Sequence, residues 1–150
     1  MINKSFRSQI LIWVFFLIPA SLVFGQQKIS LSIDDGMIND RPGYNLREWN
    51  ELLLNKLKQN KVQSVLFVAG HNKFEEKGEY IIKSWNDEGH KIANHTMNHP
   101  NYNSEEWTTN RFIDELLSND SLIKGYSNYV KLFRFPYLKE GNTPDKIESF

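Results

Sequence analysis

A near-continuous apolar run, VQSVLFVA, occupies residues 62–69 of the chain, and Gly70 ends it. Strands that are apolar on both faces are typical of parallel sheets, because helices cover both sides of such sheets. The run therefore predicts a buried strand, and the neighbouring segments can be placed relative to it.

The segments on the N-terminal side of this strand predict one more strand and one helix. Ile29, Leu31 and Ile33 alternate with small or polar residues, which is the pattern of a strand over residues 28–33. Apolar residues then recur at helical spacing from Leu46 onward, with charged residues opposite them. These two elements lead into the buried strand.

The segments on the C-terminal side continue the alternation. The sequence predicts a helix that contains Tyr80 and stops at Gly89, a strand over residues 91–94, a helix capped by Ser104, and a strand over residues 130–135. The order β-α-β-α-β-α-β predicts parallel strands joined by right-handed crossovers. The fold class expected from the sequence is therefore α/β.

Residues 1–25 predict a signal peptide. Two basic residues precede the apolar run ILIWVFFLIPASLVF at residues 10–24, and Gly25 completes a cleavage site. The alternative is an uncleaved membrane anchor, although a spanning helix needs about 20 apolar residues and this run is shorter and contains a proline. We expect an exported protein, periplasmic or secreted, that touches a membrane only if the signal segment stays uncleaved.

The composition is that of one ordinary globular domain. The 150 residues are 40% hydrophobic, and 18 basic side chains balance 18 acidic ones. A formal net charge of zero gives no support to a nucleic-acid partner, which usually needs a basic face. The chain has no Cys, so disulfides and thiolate metal ligands are excluded. The sequence gives no indication of the oligomeric state.

Three polar clusters follow predicted strands: Asp34-Asp35, residues 95–99 and residues 134–137. In parallel α/β folds the loops after the strands meet on one face of the sheet, where functional sites are built. The sequence therefore predicts one site from three clusters, although 100 residues separate Asp34 from Arg134.

The second cluster contains two candidate metal ligands. His95 and His99 are four residues apart, which places both imidazoles on one face of a helical turn. Pro100 disfavours the helical conformation at His99, so we expect a single turn or a tight loop. With one carboxylate of the Asp pair, the imidazoles make an open three-ligand set that suits zinc, with cobalt or manganese as alternatives. The Asp pair by itself also suits an ordinary turn.

Arg134 and Tyr137 can complete such a site. The guanidinium of Arg134 can hold one carboxylate in a fixed orientation and keep it ionised. The N–H group of Tyr137 can donate to an oxyanion, because Pro136 fixes the turn before it. The alternative interpretation is structural, with Arg134 in a surface ion pair and Tyr137 packed in the core.

Three motifs give the chain a specific resemblance. The stretches SIDDG at residues 32–36, HTMNHP at residues 95–100 and RFPY at residues 134–137 resemble, in order and spacing, the first three motifs of the polysaccharide deacetylase (NodB-homology) family. The resemblance implies a distorted (β/α) barrel. It also implies a hydrolase that removes acetyl groups from a polysaccharide or oligosaccharide, such as N-acetylated amino sugars in chitin or peptidoglycan, or O-acetyl groups in xylan.

The resemblance implies a role for each candidate residue. A divalent ion, expected to be zinc, would be held by one carboxylate and two imidazoles, those of Asp35, His95 and His99. Water on that ion would attack the acetyl carbonyl, and Asp34 would act as the base. Arg134 would orient Asp34, and the backbone of Tyr137 would help to stabilise the oxyanion.

The chain departs from the family pattern after the third motif. The later motifs carry a second Asp, an apolar pocket and a late His that protonates the leaving amine, and His71 does not match that His by order. Four strands cannot close a barrel, and they leave an open sheet edge. We therefore expect residues 26–150 to be a truncated N-terminal part of the domain, an incomplete barrel with impaired activity.

Two other functions stay open on the sequence. The first is an exported, non-catalytic metal- or glycan-binding module that kept the scaffold. The second is a membrane-anchored structural or interaction protein, in which the Asp and His clusters are incidental. Turnover separates a deacetylase from the binding module, and the N-terminus of the exported protein tests the membrane anchor.

Cleavage of the signal peptide can be tested on the exported protein. We expect the mature chain to begin at Gln26, because the small residue Gly25 completes the cleavage site after the apolar run. Mass analysis of the N-terminus measures this directly. An exported protein that still carries Met1 would contradict cleavage and favour the membrane anchor.

Overall fold

A computed structural model describes residues 29–149 and shows four parallel strands in one sheet, in the order β1-β2-β3-β4. The strands are β1 (Leu31–Asp35), β2 (Ser64–Val68), β3 (Lys91–Asn94) and β4 (Tyr129–Phe133). The helices are α1 (Leu46–Gln59), α2 (Glu76–Asp87), α3 (Thr109–Ile123) and α4 (Pro144–Ile147), and short 3₁₀ helices cover Gly70–Phe74 and Pro136–Leu138. The alternating order and the α/β class predicted from the sequence are confirmed.

The predicted signal segment, residues 1–25, lies outside the described residues. Within residues 29–149, no helix is both long enough and apolar enough to cross a lipid bilayer. Cleavage of the signal peptide therefore stays a prediction.

The parallel register sets the carboxyl ends of the strands side by side. Asp34 near the end of β1 lies opposite Phe67 of β2, and Phe67 lies opposite Ala93 of β3. β3 and β4 pair less regularly, with a shift of register between Ile92 and Asn94. The loops that follow the strands thus start from one edge of the sheet.

The first strand lies later in the chain than predicted, at Leu31–Asp35 instead of residues 28–33. Its pairing with β2 continues to Asp35, which lies opposite Val68. Asp34 therefore belongs to the end of the strand rather than to the loop after it. The alternation of apolar side chains stops at Ile33, but backbone pairing does not depend on side-chain polarity and continues past it.

The core lies where α1 and α2 cover β2, and it confirms the predicted buried strand. Leu66 and Val68 of β2 are each 1% exposed, and they pack with Ile81, Ile82 and Trp85 of α2. α1 adds Leu46, Leu54 and Leu57 to the same cluster. Burial of each large apolar side chain stabilises the fold by about 1.5–3 kcal/mol, which holds both helices against the sheet.

α1 begins where the sequence predicts because Asn45 and Glu48 cap its N-terminus through two reciprocal hydrogen bonds. The Asn45 side chain accepts a hydrogen bond from the N–H of Glu48 at 3.1 Å. The Glu48 carboxylate accepts one from the N–H of Asn45 at 2.8 Å. This reciprocal pair is a capping box, which satisfies two backbone N–H groups at the helix start.

The predicted cap of α3 was wrong. Thr108, not Ser104, caps the helix, and the Thr108 hydroxyl accepts from the N–H of Arg111 at 3.3 Å. Ser104 lies in the preceding turn, where its N–H donates to the carbonyl of Asn101. Lys146 donates to the Ser104 carbonyl at 2.9 Å, so contact with α4 fixes this turn outside the helix. Either hydroxyl residue could cap a helix on local sequence grounds, and this distant contact selects Thr108.

The far edge of the sheet is open in the described part of the chain. Leu132 and Phe133 of β4 are 55% and 39% exposed. They line an apolar groove of about 290 Å³ between β4 and α3, together with Ile113, Leu116 and Leu117. Residues 29–149 thus form an open four-stranded sheet, as expected for an incomplete barrel.

His90 joins the end of α2 to the sheet through its buried ring. It is 4% exposed, and its ring centroid lies 5.0 Å from that of Trp85. Its Nδ1 accepts a hydrogen bond from the N–H of Ser64 at 3.2 Å. Burial lowers the pKa of His90 below its ordinary value, and the charge of Glu88 opposes this only in part. The folded protein therefore favours the neutral imidazole.

We expect acid to destabilise the protein partly through His90. The unfolded chain binds this proton more readily, so the stability from neutral His90 is present above about pH 6.5 and is lost as the pH falls toward the lower folded pKa. His90→Asn keeps an acceptor oxygen but does not titrate. As the pH is lowered from about 7.5 to about 5.5, the urea midpoint of unfolding should fall less for this variant than for the wild type. Parallel pH curves for the two proteins would contradict this prediction.

Candidate metal centre

Asp35 ends β1 in a backbone conformation that directs its side chain away from that of Asp34. Its φ of 73° lies in the left-handed region, which non-glycine residues rarely adopt. Two donors hold its carbonyl oxygen in place: Nδ2 of Asn72 at 2.9 Å and the N–H of Ala69 at 3.3 Å. The two adjacent carboxylates consequently meet different partners.

The ligand loop, residues 95–99, follows β3 directly and is a tight loop rather than a helix, as predicted. Thr96 and His99 have φ angles of 68° and 55°. The Thr96 hydroxyl accepts a hydrogen bond from the N–H of His99 at 3.1 Å. At the start of the loop, the N–H of His95 donates to the carbonyl of Val68 at 2.9 Å. These bonds turn both imidazoles toward the end of β1.

The structure brings Asp35, His95 and His99 together. Oδ1 of Asp35 lies 3.4 Å from Nε2 of His95 and 3.1 Å from Nε2 of His99. The three candidate ligand atoms all lie within 4.8 Å of one another. The side chain of His95 is 2% exposed, that of His99 is 19% exposed and that of Asp35 is 41% exposed. One side of the cluster is thus closed by the protein and the other faces solvent.

The ring of His95 is oriented to offer a lone pair. Its Nδ1 lies 2.8 Å from the carbonyl oxygen of Arg134, an acceptor, so Nδ1 carries the proton in the neutral ring. Burial lowers the pKa of His95 more than its hydrogen bond to Arg134 and the nearby charge of Asp34 raise it. The bare Nε2 of a neutral ring therefore faces the Asp35 carboxylate. A carbonyl that fixes the tautomer in this way is the usual partner of a metal-bound His.

A divalent cation fits this arrangement. Oδ1 of Asp35 is buried and has no hydrogen-bond partner among the described residues, although it lies beside two imidazole nitrogens. A carboxylate oxygen that faces the lone pair of His95 is repelled unless a cation lies between them. Ligands at about 2.0–2.1 Å around a tetrahedral ion would be roughly 3.3 Å apart, close to the distances observed here. The donor set suits zinc, and cobalt or manganese would also be accepted.

Asp34 is held by a separate partner. Nη1 of Arg134 donates to Oδ1 of Asp34 at 2.7 Å. The guanidinium lies over the buried ring of Phe67, 4.3 Å from the ring centroid. The Asp34 side chain stays 38% exposed, so the pair borders solvent rather than the core. The Arg134 contact predicted from the sequence is present, and its partner is the first carboxylate of the pair.

Tyr137 lies at the site but not in the core. Tyr137 is 62% exposed, so the alternative interpretation, in which it packs in the core, is wrong. Its ring packs edge-on against His99, with 4.5 Å between ring centroids. Its backbone has a φ of 57°, a strained conformation for a non-glycine residue. The role of its N–H as an oxyanion donor stays a prediction.

The sequence also matches a known family. A family model described as Polysaccharide deacetylase matches residues 23–149 of the chain. The chain belongs to the polysaccharide deacetylase family. The resemblance seen in residues 32–36, 95–100 and 134–137 is thereby confirmed.

The chain is similar to several peptidoglycan deacetylases over part of their length. The peptidoglycan-N-acetylglucosamine deacetylase of Bacillus cereus is 30% identical over 118 residues, 76% of this chain and 38% of that protein. The peptidoglycan-N-acetylmuramic acid deacetylase of Bacillus subtilis is 34% identical over 100 residues, 66% of this chain and 34% of that protein. A crystal structure of a peptidoglycan N-acetylglucosamine deacetylase superposes with a TM-score of 0.60 at 27% identity, covering 81% of this chain and 50% of the other. The chain spans half or less of each of these three proteins.

The deacetylase fold positions two residues that sequence reasoning missed. Phe67 supports the guanidinium of Arg134, and Asn72 holds the backbone of Asp35. Phe67 reads as one more apolar residue of a buried strand. Only its register opposite Asp34 gives it a place beside the site. Asn72 follows Gly70 in a short polar stretch that carries no recognisable motif.

His71 also lies closer to the three candidate ligands than its sequence context indicated. It borders a cavity of about 230 Å³ together with Asp35, His99, Asn72 and residues 37–39. Its Nδ1 lies 3.2 Å from the carbonyl oxygen of Met97 in the ligand loop. The cavity therefore lies directly beside two of the three candidate ligands, Asp35 and His99.

We expect Zn²⁺ to stabilise the protein against thermal unfolding. A ligand at 100 times its dissociation constant adds about 2.7 kcal/mol to the free energy of unfolding, and a chelator should reverse the gain. Asp35→Asn removes the negative oxygen between the imidazoles and should lose most of that gain. Asp114→Asn, which makes the same change on the exposed face of α3, should keep it. Equal zinc stabilisation in both variants would contradict the assigned site.

Proposed function

We propose that this chain carries the metal-binding and base-bearing part of the catalytic site of a polysaccharide deacetylase. One observation supports this proposal above the others: two adjacent carboxylates have separate partners at one edge of the sheet. Asp34 pairs with Arg134 at 2.7 Å, while Asp35 lies within 3.4 Å of both imidazole nitrogens. A carboxylate on a cation and a second, oriented carboxylate beside it are the parts that metal-assisted hydrolysis needs.

The proposed reaction is hydrolysis of an acetamido group. When bound, the ion would lower the pKa of a coordinated water to about 7 and polarise the acetyl carbonyl. Asp34 would accept the proton of the attacking water. The water oxygen would bond to the acetyl carbon and the carbon–nitrogen bond would break. The leaving nitrogen would take up the proton that the water lost, which gives acetate and a free amine.

Arg134 has a supporting part in this proposal. Its hydrogen bond fixes one oxygen of Asp34 and so orients the carboxylate that is proposed to act as the base. The ring of Phe67 limits the positions that the guanidinium can take. Tyr137, whose ring packs against His99, supplies the proposed oxyanion donor through its backbone N–H.

The proposed substrate is an acetylated polysaccharide or oligosaccharide of amino sugars, peptidoglycan in the first place. The named relatives are deacetylases of N-acetylglucosamine or N-acetylmuramic acid in peptidoglycan. The cavity beside the candidate ligands carries polar groups from Asn39, His71 and Asn72 that can hydrogen-bond a sugar. Export through the predicted signal peptide would bring the protein to such a substrate in the periplasm or outside the cell.

A non-catalytic metal- or glycan-binding module is the second candidate. The exposed apolar groove between β4 and α3 favours it, because an exposed apolar surface can mark a binding site. The metal centre is the same in both candidates. Turnover is what separates them.

A deacetylation assay on acetylated chito-oligosaccharides tests the proposed function. We expect activity that a chelator abolishes and zinc restores. Asp34→Asn should lower kcat by about 10²–10⁴-fold, because it removes the base, while Zn²⁺ still binds.

Asp114→Asn is the matched control for this assay and should keep the wild-type rate, since its side chain is exposed on α3. Zinc binding without any turnover by the wild type would favour the binding module. Full activity in Asp34→Asn would contradict the role of this carboxylate.

A further inference from the structure

Helix α3 contacts the ligand loop at both of its ends. Before the loop, Nδ2 of Asn94 donates to the carbonyl of Leu116 at 2.8 Å. Near its end, Asn98 donates twice to Glu115, from its backbone N–H at 2.6 Å and from its Nδ2 at 2.8 Å. One helix therefore holds the residues that flank His95 on one side and His99 on the other.

The contact between Glu115 and Asn98 is an anchor for the ligand loop, made of two hydrogen bonds. Its two carboxylate oxygens each accept one hydrogen bond, and both donors belong to Asn98. Hydrogen bonds to an ionised acceptor are shorter and stronger than neutral ones. Asn98 directly precedes His99, whose φ of 55° must be maintained for its ring to face Asp35. A fixed Asn98 peptide limits the conformations open to His99.

A second anchor on α3 is buried. Nδ2 of Asn119 donates to the carbonyl of Val68 at 2.7 Å and to Oδ1 of Asn94 at 2.9 Å. The same Oδ1 of Asn94 accepts the N–H of Thr96 at 2.8 Å. A Cβ atom at Gly70 would lie 2.6 Å from Asn119, so the anchor requires glycine at that position.

We propose that Glu115 is a positioning residue that sets the distance between His95 and His99 by fixing Asn98, with Asn119 as its buried counterpart. The consequence for metal affinity rests on the proposed metal site. The effect on the ligand loop does not, because the contacts exist in the protein alone. Glu115 acts through the loop and contacts no reacting atom in this proposal.

Glu115→Ala tests the proposal against the matched control Asp114→Ala. Both remove one negative charge from adjacent positions of α3, but only Glu115 holds Asn98. We expect Glu115→Ala to weaken Zn²⁺ or Co²⁺ binding by about 10-fold or more, as loss of an outer-shell partner does, and Asp114→Ala to leave it unchanged. The Co²⁺ absorption spectrum should also change in Glu115→Ala, because the imidazole geometry changes.

Hydrogen exchange of the metal-free protein supplies a readout that needs no metal. The amides of residues 96–99 should exchange faster in Glu115→Ala than in the wild type or in Asp114→Ala. Glu115→Gln keeps one acceptor oxygen for Asn98, so it should show a smaller change in the same direction. This variant keeps the test available if the alanine variant does not fold.

The outcomes separate this proposal from the proposed function. Unchanged hydrogen exchange in both Glu115 variants would show that Glu115 does not hold the loop, and would overturn the proposal. Equal losses of metal affinity in Glu115→Ala and Asp114→Ala would also overturn it, because the lost negative charge alone would then explain the effect. Faster exchange with unchanged metal affinity would overturn the positioning role. If the wild type binds no divalent ion, the proposed function fails, while the exchange measurement still decides whether Glu115 holds the loop.

Discussion

The parallel pairing of β1, β2 and β3 is the constraint on which the candidate site depends. It brings the end of β1 next to the loop after β3, although β2 and two helices lie between them in the chain. The same register places Phe67 opposite Asp34, under the guanidinium that pairs with that carboxylate. A slip of one residue would exchange the faces of the strand and move Asp34 away from Arg134.

Strained backbone is concentrated where the proposed chemistry takes place. Six described non-glycine residues have positive φ angles, and four of them form or border the site: Asp35, Thr96, His99 and Tyr137. Such conformations cost roughly 1–3 kcal/mol each and persist when other contacts hold them. The contacts are present for Asp35, through Asn72, and for His99, through the Thr96 hydroxyl. The ligand geometry is thus set by the protein before a metal ion binds.

The two adjacent carboxylates of one short motif have different partners. Both residues belong to the pairing of β1. Asp34 meets Arg134, whereas the left-handed φ of Asp35 directs its carboxylate to the imidazoles. Separate partners distinguish the two groups, because Asp35 lies beside two imidazoles and Asp34 beside a guanidinium. The open edge at β4 leaves this half of the fold without the contacts that a closed barrel would add.

The sequence by itself determined the α/β class, the order of the elements and the residues that meet at the site, because apolar periodicity and the three motifs are local signals. The tertiary structure decided the features that depend on contacts between residues far apart in the chain. The cap of α3 moved from Ser104 to Thr108 because Lys146, a distant residue, holds the earlier turn. Glu115 and Phe67 read as ordinary helix and strand residues in the sequence. Their place beside the site follows only from packing across the sheet, which brings together side chains that are far apart in the chain.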